Sequence, residues 1–267
     1  MRTIALEEHF WTPELAGNTG TGSLAMFGPQ LGNQLSDLGE LRLADMDANG
    51  IDFQVISHVA PAAQGLEGAE GVALSREAND RLAEAVRAHP DRFAGFATLP
   101  TADPRAAADE LDRATGELGL IGALVNSTLG SNGVFLDDAR FAPLLDRFER
   151  HPGLRLIIGH CGEMLPFMLA RVDAMLPLDH LEMAPSGYFG RNVWVTTSGL
   201  FSIPPVMCTV QVLGVDRVLF SVDYPFGPSA AGRALLDTLP LSPQDKAKIA
   251  GGNAERVLGL PSARTTS

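Results

Sequence analysis

Residues 3–9, TIALEEH, pass from an apolar run straight into two glutamates and a histidine. The apolar part reads as a buried strand, whereas acidic residues are poor strand formers. Glu7, Glu8 and His9 at its tip therefore call for a role other than strand formation. The pattern recurs along the chain. FQVIS (53–57) runs into His58, and IGALVN (121–126) ends in Asn126 and meets Ser127. LRLIIG (154–159) runs into His160, NVWVTT (192–197) ends in Thr197 and meets Ser198, and RVLFSV (217–222) runs into Asp223. Only FAGFATL (93–99) lacks such a tip. None of the runs alternates cleanly between apolar and polar residues, the pattern of parallel strands covered on both faces.

Helical stretches separate the runs. The sequence predicts helices over 40–50, 75–90 with Ser75 as N-cap, 103–119 with Asp103 as cap and Pro104 at the first position, and 137–153. Further helices are predicted over 164–176, 204–214, 229–239 and 242–259. Strand–helix alternation with no visible linker predicts one α/β domain over residues 1–267. Residues 11–39, rich in Gly, Pro and Asn, read as a long loop after the first strand, placed to act as a lid.

Composition narrows the function classes. The formal net charge is −12 and no basic stripe is visible, so a nucleic-acid partner is not expected. There is no run of about 18 apolar residues and no basic, apolar leader, so neither a membrane span nor export is expected. Two cysteines in a chain of this length, Cys161 and Cys208, are read as free thiols of a cytoplasmic protein.

In an α/β barrel the active site is built at the C-terminal tips of the strands. Glu7 and His9, spaced i, i+2, would share one face of a regular strand. With His160 and Asp223 they form a mixed carboxylate and imidazole set suited to Zn²⁺ or a similar divalent ion. His58 alone reads as a hydrogen-bonded structural residue, and Asp223 alone as a turn brace before Tyr-Pro-Phe. Their placement at matching strand tips is what points to a site.

Several stretches resemble a known family. ALEEHF, APAAQG, REANDRLAEAVRAHPDRFAGFATLP, RLIIGHCGEMLPFMLARVD, YFGRNVWVTTSG, RVLFSVDYPF and KIAGGNAERVLGL are similar, in order, to the amidohydrolase-2 branch of the amidohydrolase superfamily. The likeness is strongest to its decarboxylases of γ-resorcylate and 2,3-dihydroxybenzoate. The resemblance implies a distorted TIM-like (β/α) barrel, a divalent metal (Zn²⁺ or Mn²⁺), a small aromatic carboxylate substrate and a homo-oligomer. It places Glu7 and His9 on first-strand metal positions, where many relatives have H-x-H. Asp223 falls on a metal ligand and proton donor, and His160 on the catalytic histidine of G-H-x-G-E.

One departure stands out. The family carries a fifth strand ending in a metal-binding His-Pro, followed by a loop and helix. Here FAPLLDRFERHPGLRLIIGH passes from one helix directly to the G-H-x-G-E strand. Residues 137–153 look like the start of one family helix joined to the end of the next, leaving seven recognisable strands against the eight of a full barrel. His89 and His151 lie at predicted helix ends and cannot replace the missing ligand. Three outcomes are open: His160 becomes a ligand beside Glu7, His9 and Asp223; Glu7, His9 and Asp223 hold the metal and His160 stays an acid–base residue; or the metal is lost.

The expected chemistry is decarboxylation of an ortho-hydroxy aromatic acid, with Asp223 protonating the ring carbon and His160 handling the proton. Phe10, Trp11, Phe201 and Phe226 are candidates for stacking on the ring. The alternatives are metal-dependent hydrolysis of a lactone or amide, and a non-catalytic relative.

Overall fold

The computed structural model describes residues 1–18, 28–129, 133–149, 155–175 and 182–260. Six strands are β1 (Ile4–Phe10), β2 (Phe53–His58), β3 (Phe93–Phe96), β4 (Leu156–Ile158), β5 (Val193–Thr196) and β6 (Val218–Leu219). The helices are α1 (Pro13–Asn18), α2 (Gly28–Ser36), α3 (Glu40–Asn49), α4 (Gly68–Ala88), α5 (Pro104–Gly116), α6 (Ala142–Glu149), α7 (His160–Glu163), α8 (Leu165–Met175), α9 (Pro185–Asn192), α10 (Ile203–Leu213), α11 (Ser229–Thr238), α12 (Pro243–Ala247) and α13 (Asn253–Leu258). The chain divides into two compact units. One holds residues 1–7, 46–52 and 154–267, the other residues 8–45 and 53–153. The boundary falls inside β1, between Glu7 and Glu8.

In the second unit β2 and β3 run parallel, with Gln54 opposite Phe93 and Ser57 opposite Phe96. Gly95 is required in β3: a β-carbon there would stand 2.7 Å from Leu82 and 2.8 Å from Leu120. The expected strand over 121–126 is reduced to a bridge between Ala97 and Ala123, flanked by Ile121 N–H to Gly95 O and Leu124 N–H to Ala97 O, both 2.9 Å. It pairs over its first residues only. Asp103 caps α5 as expected, accepting from the amides of Arg105 and Ala106, with Pro104 next. Helix α4 begins seven residues before the predicted Ser75 cap, and Ser75 is buried within it. The added turns bring Leu74 against the buried Leu15, Ala63 and Ala78, a gain no local cap competes with. His89 caps the C-terminus of α4; His151 lies outside the described residues.

Residues 11–39 are not a plain loop. They contain α1 and α2, and Leu31 and Leu35, four residues apart, are buried. Trp11 ties α2 down, its amide donating to Leu35 O (3.0 Å) and its indole N–H to Ser36 Oγ (2.7 Å). Residues 19–27 of the expected lid lie outside the described residues. The predicted helix 137–153 is a 3₁₀ turn over Ala139–Phe141 followed by α6, and residues 150–153 are likewise outside.

In the first unit β4, β5 and β6 form a parallel sheet in that order. Leu6 N–H donates to Phe220 O (3.2 Å), setting the first part of β1 beside the chain leaving β6. The helix expected over 242–259 opens into a π turn at Lys248–Gly252 between α12 and α13. Two close approaches explain the opening. Phe220 N–H takes Ile249 O (3.0 Å), and a β-carbon at Gly251 would stand 2.6 Å from Arg2 O. Among the described residues no helix is long and apolar enough to cross a membrane.

His58 serves the fold of the second unit. Its Nε2 accepts from Thr12 N–H (3.0 Å) and its Nδ1–H donates to Val59 O (2.9 Å). Phe10 stands edge-on to its ring at 5.1 Å. Burial lowers its pKa to about 4; the Val59 carbonyl opposes the shift and His9 adds to it. The unfolded chain takes up this proton near pH 6.5, whereas the folded chain refuses it until about pH 4. Stability is therefore lost as pH falls through that window, by on the order of 3 kcal/mol at its foot. Urea denaturation at pH 7 and pH 4.5 is expected to show this loss in the parent and a clearly smaller one in His58→Ala.

Candidate active site

Three of the four residues expected from sequence meet in the first unit. Glu7 comes from β1, His160 from the second residue beyond β4, and Asp223 from the chain beyond β6. All three have left-handed backbone, with φ of 64°, 48° and 72°. His160 opens a run in which Cys161 (54°), Gly162 (77°), Glu163 (51°) and Met164 (69°) are also left-handed. Four of the five carry side chains, at a cost of roughly 1 kcal/mol or more each. Gly162 lets the turn close. A β-carbon there would lie 3.0 Å from Pro166 and 3.1 Å from Val195, and its amide donates to Gly159 O (2.7 Å).

The left-handed backbone at Glu7 also corrects the strand argument. A regular strand would put Glu7 and His9 on one face, but the alternation breaks at Glu7. His9 belongs to the second unit, where its Nδ1 pairs with Ser57 Oγ (3.2 Å) and its carbonyl accepts from the fully buried Arg42.

His160 Nδ1 lies 3.0 Å from Ser198 O. A carbonyl only accepts, so Nδ1 carries the proton and Nε2 is left as the basic nitrogen. That nitrogen faces Glu7 Oε1 at 3.5 Å and Glu163 Oε1 at 3.9 Å. Burial works to lower the pKa of His160. The carboxylate of Glu7, the Ser198 carbonyl and the carboxylates of Asp223 and Glu163 outweigh it, and the net shift is upward. Asp223 shares the same corner. A β-carbon at Gly199 would lie 3.3 Å from His160 Nδ1 and 3.4 Å from Asp223 Oδ2.

Glu7 is held on two sides that the sequence reading missed. Thr196 Oγ1 donates to Glu7 Oε2 at 2.6 Å, and Thr196 is only 1% exposed. On the other side stands Gly159, where a β-carbon would fall 2.2 Å from Oε1. Gly159 has φ −63° and ψ 174°, a conformation open to any residue. Glycine is favoured here for room alone, because a β-carbon would push the end of the Glu7 side chain aside. Sequence reasoning fixed on Thr197 and Ser198, one residue further along. Thr197 is structural, its hydroxyl donating to Ser221 O (2.9 Å) and accepting from Ser221 N–H (3.0 Å). Ser198 supplies its carbonyl to His160; its buried hydroxyl has no partner among the described residues.

Phe10 is core, and Trp11 is engaged by α2. Phe201 fills the space above Gly227 and Gly232. Cys161 is buried and its thiol is pushed up to about 11 by desolvation, so it stays protonated at neutral pH. Cys161 and Cys208 are both free.

The donor chemistry of Glu7, His160 and Asp223 fits a divalent cation: two carboxylates, and an imidazole whose far nitrogen is fixed by a carbonyl. Among the described residues no three His, Cys, Asp or Glu side chains already converge closely enough to enclose an ion. The three form a partial set that needs further ligands, whether water, substrate or another side chain.

Replacing Gly159 with Ala is expected to leave the fold intact, because the end of Glu7 can swing aside, at a cost of about 1–2 kcal/mol. The same change in a Glu7→Ala background is expected to cost almost nothing. Thermal denaturation of the four proteins in this cycle checks it, with a coupling above about 0.5 kcal/mol expected.

Known proteins were compared with the chain. The profile of the amidohydrolase family matches residues 9–149 and 141–260. The γ-resorcylate decarboxylase of Rhodococcus jostii is 32% identical over 323 aligned positions, covering 96% of this chain and 98% of the relative. Among solved structures, 2,6-dihydroxybenzoate decarboxylase from Rhizobium superposes with a TM-score of 0.87 at 30% identity, covering 97% of this chain and 99% of the other. A dihydroxybenzoic acid decarboxylase from Polaromonas, solved with bound manganese and the inhibitor 2-nitroresorcinol, gives 0.86 at 30% identity, covering 99% of each. The likeness supports an α/β barrel fold class, and the chain belongs to the amidohydrolase family.

Proposed function

We propose that the protein is a divalent-metal-dependent carbon–carbon lyase that decarboxylates a small aromatic ortho-hydroxy acid. The observation that carries this is the meeting of Glu7 of β1, His160 beyond β4 and Asp223 beyond β6. The chain that brings them together is similar end to end to 2,6-dihydroxybenzoate decarboxylase. Glu7 and Asp223 are the carboxylate ligands, His160 is the imidazole ligand or the proton carrier beside them, and His9 is the fourth candidate. Mn²⁺ or Zn²⁺ supplies Lewis-acid stabilisation of the charge that appears when the ring loses aromaticity.

This chain's own groups handle the proton. Asp223, as the acid, gives a proton to the ring carbon that bears the carboxylate. The bond from that carbon to the carboxylate then breaks, its electron pair restores the ring, and carbon dioxide leaves. His160, whose pKa is raised by the surrounding carboxylates, returns a proton to Asp223.

A single barrel domain lacking one internal β/α unit accounts for several observations. The alignment with the Rhodococcus relative spans 323 positions, although the chain has 267 residues. The two family matches overlap at 141–149, as expected where two family helices have been joined. Leu156 in β4, the outermost strand of its sheet, is 52% exposed.

The chain is further proposed to be a cytoplasmic homo-oligomer. Its two free thiols fit a reducing compartment. Helices α8 and α10 pack on each other and leave Phe167 (73% exposed), Ile203 and Val212 in solvent, with Met164 just before α8 exposed as well. Helix α10 contains no ionisable side chain except Cys208. In a chain of net charge −12, a helix without acidic groups is where a second copy approaches with least repulsion.

Protein supplied with Mn²⁺ or Zn²⁺ is expected to release carbon dioxide from at least one of a panel of ortho-hydroxybenzoates. Glu7→Ala and Asp223→Ala are expected to lose bound metal, and His58→Ala to keep it. A metal-loaded protein that decarboxylates nothing in the panel overturns the reading in favour of hydrolysis or a non-catalytic role. Light scattering is expected to give at least twice the chain mass, with Phe167→Asp and Val212→Asp shifting it to that of one chain; an unshifted mass removes this face as the interface.

A further inference from the structure

Thr196 lies at the end of β5, inside the sheet rather than at its polar tip. Its hydroxyl has one proton to give, and it gives it to Glu7 Oε2 at 2.6 Å. That bond occupies one oxygen of the carboxylate and leaves Oε1 facing His160 Nε2 at 3.5 Å. The bare backbone of Gly159 makes room for the carboxylate in this orientation and no other side chain would. Two independent features of the fold thus hold one carboxylate: a donated proton on one oxygen and an open space beside the other.

We propose that Thr196 is a positioning residue for Glu7: its hydroxyl holds Oε2 so that the carboxylate presents Oε1 alone, as a single-oxygen ligand to the divalent cation. The proposal rests on the reading of Glu7 as a metal ligand and adds the group that orients it. A ligating carboxylate is itself commonly held by a hydrogen bond, and losing such a partner weakens metal binding by about 10- to 100-fold. Without the hydroxyl, Glu7 is free to rotate about its outer bonds, and the left-handed backbone at residue 7 fixes only where the side chain starts.

The test uses the full chain and Mn²⁺ in equilibrium dialysis, with Thr196→Val, Thr196→Ser and Glu7→Gln compared with the parent. Valine keeps the shape of threonine and removes the hydroxyl; serine keeps the hydroxyl. Thr196→Val is expected to weaken Mn²⁺ binding about 10-fold or more, Thr196→Ser to stay within about threefold of the parent, and Glu7→Gln to lose most of the affinity. Crystal structures of the metal-free variants give a second readout, in which the Glu7 carboxylate leaves Gly159 in Thr196→Val and stays in Thr196→Ser. Parent-like binding by Thr196→Val, with Glu7 unmoved, overturns the positioning role while leaving the ligand reading intact. Parent-like binding by Glu7→Gln, or a parent that takes no Mn²⁺, overturns the ligand reading instead. The crystal structures then decide the orienting role of Thr196 by themselves: a moved carboxylate upholds it and an unmoved one overturns it.

Discussion

The carboxylate of Glu7 occupies space that any side chain at position 159 would fill, and much of the site follows from that constraint. The glycine is demanded by volume, since its own dihedral angles suit any residue. Once the carboxylate is seated there, Thr196 can reach one oxygen and His160 can face the other. The parallel register of β4, β5 and β6 sets the three supports side by side, with Ile158 opposite Val195 and Thr196 opposite Leu219.

The left-handed run at His160–Met164 is the energetic counterpart. A chain free to choose would not put four side-chain-bearing residues there. Packing compensates: Cys161 is buried, Gly162 sits tightly against Pro166 and Val195, and α8 follows at once. The turn delivers an imidazole whose inner nitrogen is committed to a backbone carbonyl and whose outer nitrogen looks at carboxylates. Acidic neighbours then keep its pKa above the ordinary value despite its partial burial.

Much of this was legible in the sequence. Apolar runs of four to seven residues, all but that of β3 ending in a polar group, marked five of the six strands to within a few residues. Strand β1 extends further, through the polar residues Glu7, Glu8 and His9 to Phe10. Glu7, His160 and Asp223 were legible because ionisable groups at strand tips are unusual enough to stand out. Thr196 and Gly159 were not legible. A threonine within a strand is ordinary, and a glycine before a histidine reads as a turn former. Their meaning depends on which residue of a distant strand lies opposite, and no local pattern carries that register. The same limit explains Glu7 and His9, where i, i+2 spacing assumed a regular strand. It also bears on α4, which begins seven residues before the predicted cap, with Leu74 packed on a buried cluster.

The proposed loss of one β/α unit bears on function through where it falls in sequence. Glu7, Gly159, His160, Thr196 and Asp223 come from β1, β4, β5, β6 and the turns that follow them, and none lies in 137–153, the stretch within which the family matches overlap at 141–149. On the proposed reading, a deletion there would remove a strand and whatever ligand and pocket wall it carries. It would not disturb the hydrogen bonds and close approaches that hold Glu7 and His160, because each of those is made within the one unit. A strained turn, a glycine that leaves room and a carboxylate held on two sides are costly features without a visible gain to stability. On the general expectation that local strain persists where function requires it, their presence argues for a working site over a vestigial one.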